Sequence, residues 1–238
     1  MPRTETEWSD LPPVELLERQ SARLAGMRSR LLRRAGIAHR GPVLDLGAGR
    51  GVVTAELEQR SRGPVVALDR RVGPLGPIQA LRVAGDACAL PFADGAFELI
   101  FAQLVFLWIG DLDRAVAEVS RVLRPGGVLL AIEPDFGGAI EHPPEIAAAP
   151  LWEEGLRRAG AEPRIGRQLV TRLGAAGLSV SVELAPTLPR LDGDDHLDLL
   201  AGLVGEARVS RLRAHERAIP PAERILFVPY FFISATAS

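Results

Sequence analysis

Val43-Leu-Asp-Leu-Gly-Ala-Gly-Arg-Gly51 runs an apolar strand into three glycines at alternate positions, with an acid, Asp45, two residues before the first of them. Val43 to Leu46 reads as a buried parallel strand and Val52 to Glu58 as the start of the following helix, so the glycines occupy a tight strand-to-helix turn. Glycine supplies the left-handed dihedrals and the close backbone approach that such a turn needs. A dinucleotide fingerprint, G-x-G-x-x-G/A, would require glycine or alanine where this chain, counted from Gly47, has Val52. The spacing therefore disfavours an NAD-dependent dehydrogenase.

The pattern continues outward. Val65-Val-Ala-Leu-Asp69 is a second short apolar strand ending in an acid, about 20 residues past the glycines, where a carboxylate can accept hydrogen bonds from both hydroxyls of a ribose. A third strand, Ala80 to Ala84, leads into Gly85-Asp-Ala-Cys-Ala-Leu-Pro-Phe92. A fourth, Phe97 to Gln103, is followed by a helix near Asp111 to Val122, and Leu123-Arg-Pro-Gly-Gly127 then opens a fifth strand, Val128 to Glu133. Strand and helix alternate, which predicts a parallel sheet with helices on both faces.

This ordered set resembles the class I S-adenosylmethionine-dependent methyltransferases, whose first motif has the form D-x-G-x-G-x-G and which often carry G-D-A…L-P-F further on. Within that superfamily the chain is most similar to the broad group that includes the ubiquinone and menaquinone biosynthesis methyltransferases and many small-molecule relatives. The resemblance implies an α/β fold with a doubly wound, Rossmann-like, seven-stranded sheet of order 3-2-1-4-5-7-6, the last strand antiparallel. It implies S-adenosylmethionine as cofactor. Asp45 with Gly47, Ala48, Gly49 and Gly51 would hold the methionine portion, Asp69 the ribose, and Asp86 with the Ala87 amide the adenine. Gln103 would lie beside the methionine moiety or cap the core. Arg70 stands where relatives often have an apolar residue over the adenine, and its guanidinium could stack there or point to solvent.

The flanks depart from the minimal pattern. Residues 1–40 form an N-terminal helical segment, with apolar positions at Leu16, Leu17, Leu24, Met27, Leu31 and Leu32 and Asp10 as a possible cap. Its arginines at 19, 23, 28, 30, 33 and 34 suit either a solvated helix face, the commoner case, or a polyanion-binding one. Trp8 could touch ligand if this helix crosses the cofactor mouth. Residues 41–238 form the main domain. Its connection from Arg70 to Gln79 holds at most a short helix. After Glu133, helical stretches near Glu145–Arg158 and Gly166–Ala176 lead to a sixth strand, Leu178 to Leu184, then to a helical insertion at about 192–217 that reads as a lid or a packing element. The final strand is Ile225 to Ser234, and Pro229 within it fits an edge or bulge better than a central ladder.

Composition narrows the chemistry. All 28 basic side chains are arginine, and the chain has neither lysine nor asparagine. That excludes a Walker A motif, a Schiff-base or pyridoxal-phosphate lysine, an N-glycosylation site and the Asn-Pro-Pro-Tyr motif of amino-directed DNA methylases. A net charge of -2 gives no bulk electrostatic attraction to nucleic acid or to an anionic membrane. The longest apolar run, Leu99 to Ile109, is too short to span a bilayer, and the first residues lack a signal peptide's apolar region. A cytoplasmic protein is expected, monomer or homodimer. One cysteine, Cys88, and four scattered histidines leave no metal-ligand spacing.

Candidate general bases follow the fifth strand: Glu133, Asp135 and His142, each equally readable as a loop cap or surface group. The apolar residues Leu104, Leu107 and Trp108 after the fourth strand favour a fairly hydrophobic small-molecule acceptor. Two alternatives stand beside a metabolite methyltransferase: an RNA or protein methyltransferase using the arginine-rich helix, and a catalytically silent S-adenosylmethionine-binding protein.

Overall fold

The computed structural model describes residues 13–71, 79–185 and 195–238. Trp8, Asp10, the start of the insertion and most of the connection after Arg70 lie outside the described residues. In chain order the described strands are β1 (Val43–Leu46), β2 (Val65–Asp69), β3 (Leu81–Ala84), β4 (Phe97–Gln103), β5 (Leu123–Pro134), β6 (Ile140–His142), β7 (Ser179–Leu184), β8 (Ile225–Phe227) and β9 (Tyr230–Thr236). The helices are α1 (Val14–Arg34), α2 (Thr54–Arg60), α3 (Leu112–Val122), α4 (Ala149–Arg158), α5 (Ile165–Ala175), α6 (Asp195–Val204) and α7 (Glu206–Ala218).

Seven strands make one sheet, β3-β2-β1-β4-β5-β9-β7, in which β9 runs antiparallel to both its neighbours. With β6 and β8 set aside, this is the expected order 3-2-1-4-5-7-6. Period-two alternation sorts the strands into two core layers. Leu44, Leu46, Ile100, Ala102, Leu129 and Ala131 pack with Val116 and Val119 of α3 and Leu169 and Leu173 of α5. Val43, Leu99, Phe101, Leu130 and Ile132 pack on the other face with Leu24 and Leu32 of α1 and Leu57 of α2. Asp45 and Gln103 share the α1 face by the same alternation, and Glu133 points to the opposite one.

Helix boundaries follow local chemistry. Asp111 caps α3 by accepting a hydrogen bond from the Arg114 amide at 3.1 Å, and Ala115, Val116, Val119 and Val122 form its buried stripe. Glu141 does the same service for α4, taking the Ala148 and Ala149 amides at 2.9 and 3.1 Å, so that helix starts at Ala149 and not near Glu145.

The final strand needs a correction. It is not continuous from Ile225 to Ser234: β8 leaves the main sheet to pair with β6 as a two-stranded ribbon, and only β9 enters the sheet. The break falls at Val228–Pro229, where proline has no amide to give a ladder. The Pro229 carbonyl instead accepts the Asp135 amide at 2.9 Å. The ribbon thus extends from the end of the sheet where β5 finishes.

Five of the six arginines of α1 have partners within the chain. Arg30 and Arg34 bind Glu183 of β7, Arg19 binds Asp195 of α6 at 2.8 Å, and Arg23 lies 5.8 Å from the centre of the Tyr230 ring. Arg28 is buried. Helices α6 and α7 form a small cluster of their own with α4, through Ala148, Leu197, Leu200, Val204 and Val209. No described helix is long and apolar enough to cross a membrane.

Candidate functional site

The glycine turn connects β1 to α2 at the carboxyl end of the sheet. Gly47, Gly49 and Gly51 have φ of +70°, +53° and +76°, the left-handed region that glycine enters without strain. The Gly47 and Ala48 amides both donate to the Leu68 carbonyl, at 2.8 and 3.0 Å, which ties the turn to β2. A Cβ on Gly47 would stand 2.5 Å from Val105 Cγ2, so this glycine also permits close packing against the segment after β4. A Cβ on Gly49 would meet nothing nearer than 4.0 Å. Open space lies above it.

Asp69 ends β2 beside that space. Its Oδ2 accepts the Gly49 amide at 2.8 Å and its Oδ1 the Arg71 amide at 3.1 Å, which fixes the carboxylate while leaving lone pairs for further donors. Arg70 is exposed. Asp86 is exposed as well, held by the Cys88 amide on Oδ1 at 2.9 Å, with the neighbouring Ala87 buried. Asp45 is different. It is buried against α2, its Oδ2 accepts the Thr54 hydroxyl at 2.6 Å, and burial pushes its carboxyl up to about 7, partly opposed by Thr54 and Arg28.

Gln103 faces α1. Its Oε1 accepts from Arg28 Nη1 at 2.9 Å, and Arg28, only 5% exposed, also reaches Ser21 and, through Nε at 2.8 Å, Glu56. Sequence reading grouped Arg28 with the other helix arginines. One signal could have separated it: Leu24, Arg28, Leu31 and Leu32 fall at i, i+4, i+7 and i+8, on the apolar stripe itself.

On the acceptor side, Glu133, Asp135 and His142 are not brought together. Glu133 is wholly buried, its Oε1 accepting the Val105 and Phe106 amides at 2.9 and 2.8 Å, while Oε2 is buried with no hydrogen-bond partner. Burial raises its carboxyl to about 8, against the backbone donors that lower it. Asp135 is also buried, and Arg167 clamps it with two bonds, at 2.6 and 2.8 Å. His142 lies exposed on the ribbon, opposite Ile225. Between Gln103 and the Val105 amide, Leu104 has φ +60°, a left-handed conformation that costs a non-glycine residue about 1 kcal/mol or more. Trp108, 44% exposed, and the ribbon's Ile140 and Ile225 leave apolar surface after β4 and β5. Phe231 packs against Gly166 of α5, and Tyr230 is buried, its hydroxyl pushed up by burial.

Residues 44–131 match the family model of a methyltransferase domain. The chain is 43% identical over 104 residues to malonyl-[acyl-carrier protein] O-methyltransferase 1 of Coxiella burnetii, a match covering 42% of this chain and 37% of that protein. It is 38% identical over 135 residues to the demethylmenaquinone methyltransferase of Mycolicibacterium paratuberculosis, covering 56% of this chain and 55% of that one. The chain thus spans about half or less of these curated relatives. Among solved structures, the [4+2]-cyclase SpnF superposes with a TM-score of 0.63 at 20% identity, covering 92% of this chain and 82% of its own. Geranyl diphosphate C-methyltransferase from Streptomyces coelicolor, solved with Mg2+, geranyl diphosphate and S-adenosyl-L-homocysteine, gives 0.58 at 16% identity, covering 91% and 80%. These two likenesses concern the fold.

Proposed function

We propose that this chain, whose residues 44–131 match a methyltransferase-domain model, is an S-adenosylmethionine-dependent enzyme that transfers a methyl group to a small, fairly hydrophobic metabolite by in-line displacement. The observation that carries this reading is the Gly49–Asp69 pair, a fixed carboxylate beside a glycine with open space above it. The residues fit the cofactor. Asp69 takes the ribose hydroxyls, Asp86 and the Ala87 amide the adenine, and Gly47, Ala48, Gly49 and Gly51 the methionine end. Asp45 braces the turn from beneath through Thr54. Gln103, oriented by Arg28, borders the methionine end, and the exposed Arg70 lies along the adenine edge.

When bound, S-adenosylmethionine supplies an electrophilic methyl on a sulfonium that is already a good leaving group. The protein's task is then to hold the acceptor in line, which can supply roughly 7 to 11 kcal/mol. Glu133 is wholly buried with Oε1 held by two backbone amides, and Asp135 is buried with both oxygens on Arg167, so we assign neither the removal of a proton from the acceptor. His142 is the remaining candidate for an acceptor that must lose one. The apolar surface at Trp108, Ile140 and Ile225 supports a hydrophobic acceptor. We propose an N-terminal helical segment at 1–40 and a methyltransferase domain at 41–238 with a helical insertion at about 192–217, in a cytoplasmic monomer or homodimer.

An RNA or protein substrate is less well supported, since Arg19, Arg23, Arg28, Arg30 and Arg34 have partners within the chain. Calorimetric titration with S-adenosylmethionine, S-adenosylhomocysteine and NAD tests the proposal. Saturable binding of the first two alone is expected; binding of NAD alone, or of none to the folded protein, would overturn it.

A further inference from the structure

Glu133 sits at the end of β5, on the opposite sheet face from Asp45, yet one continuous set of contacts leads from it to the glycine turn. Its Oε1 gathers the Val105 and Phe106 amides, at 2.9 and 2.8 Å. Those two residues directly follow Leu104, whose left-handed φ of +60° needs outside restraint in a branched residue. The Leu104 amide is itself anchored to the Ile132 carbonyl at 3.0 Å, so β5 holds the segment after β4 at successive residues. Val105, placed by that hold, lies so close to Gly47 that a Cβ there would stand 2.5 and 2.7 Å from its two methyl carbons.

Burying a carboxyl with one oxygen unpartnered is costly, and an apolar residue of similar size would avoid that cost. The two backbone amides would then be left without an acceptor. We infer that Glu133 is a positioning residue: through the Val105 and Phe106 amides it holds Leu104 in its left-handed conformation and presses Val105 against Gly47, setting the shape of the turn that receives the methionine end of the cofactor. This rests on the functional reading above only where the cofactor is named. The mechanical link from Glu133 to the turn stands on geometry alone.

Hydrogen exchange on the ligand-free protein, paired with titration by S-adenosylhomocysteine, tests both parts. Glu133→Gln keeps an oxygen that can accept both amides. It should exchange like the wild type over residues 47–51 and 104–107 and bind the ligand with the same affinity within about twofold. Glu133→Ala should speed exchange in both segments at least tenfold and weaken binding at least tenfold. Faster exchange confined to 104–107, with 47–51 unchanged, would overturn the inference, as would affinity within twofold of the wild type. Should Glu133→Ala fail to fold, Val105→Ala removes the two methyl carbons that face Gly47 and leaves the carboxyl in place. Faster exchange at 47–51 is then expected, and unchanged exchange there would overturn the link. A wild type that does not bind S-adenosylhomocysteine refutes the cofactor reading, while the exchange data still decide the link.

Discussion

The Gly49 amide donates to Asp69 Oδ2 at 2.8 Å, joining the middle of the glycine turn to the end of the neighbouring strand. The carboxylate proposed to receive a ribose is therefore oriented before any ligand arrives, and little ordering is left to be done on binding.

Asp69→Ala should weaken S-adenosylmethionine affinity by more than tenfold, the effect of losing two charge-assisted hydrogen bonds to hydroxyls. Calorimetric titration checks this. Affinity equal to the wild type would mean that Asp69 does not face the cofactor.

Two glycine substitutions should separate packing from binding. Gly47→Ala drives a methyl into Val105 at a φ of +70°, so it should destabilise the fold by about 1–3 kcal/mol. Gly49→Ala meets open space, and its left-handed φ should cost only about 1 kcal/mol, but the added methyl intrudes where ligand would lie. Thermal unfolding should therefore single out Gly47→Ala, and titration of the folded Gly49→Ala protein should show lost affinity.

Stability should fall as pH rises above the ordinary carboxyl range. Glu133 and Asp45 are held up to about 8 and about 7, from unfolded values of 4.5 and 3.8, so the native state binds protons that the unfolded chain has released between those limits. With more protons on the folded side, unfolding becomes easier as pH climbs through the window. Glu133→Gln removes one of the two groups. Its melting temperature relative to the wild type should increase from pH 5 to about pH 8 and level off above that; a constant difference would show that Glu133 titrates normally.

Arg28→Ala should cost about 1–3 kcal/mol, because Gln103 loses a buried partner while Glu56, one-fifth exposed, keeps its ion pair with Arg60. Arg19→Ala should cost less, since that side chain is half exposed. Denaturant titration of the two variants ranks them, and equal losses would contradict the burial of Arg28.

Much of the architecture was legible because it rests on local rules. Val43–Leu46, Val65–Asp69 and Phe97–Gln103 are short apolar runs, and glycines mark the turn between β1 and α2. What escaped reading has a non-local cause. Three-residue strands such as Ile140–His142 and Ile225–Phe227 are too short to show a period, and they exist because each is the other's partner. The ion pairs of α1 join residues as far apart as Arg19 and Asp195, which no spacing rule connects. At the candidate site, Asp69 was singled out because it ends an apolar strand and Asp86 because it lies just past one. The hold of Glu133 on Val105 and Phe106 depends on strand register, and that appears only once β4 and β5 are paired.

The position of β9 bears on how the chain is made. It is the last strand in chain order, yet it lies inside the sheet between β5 and β7. Ninety-five residues separate Pro134 from Tyr230, so at ribosomal speeds of roughly 5–20 residues per second the outer edge of β5 waits about 5–20 s for its partner. Until then two strands of the growing polypeptide expose ladder groups with nothing to pair with, which is the stretch of biosynthesis when strand mispairing or aggregation is favoured and a chaperone has most to protect.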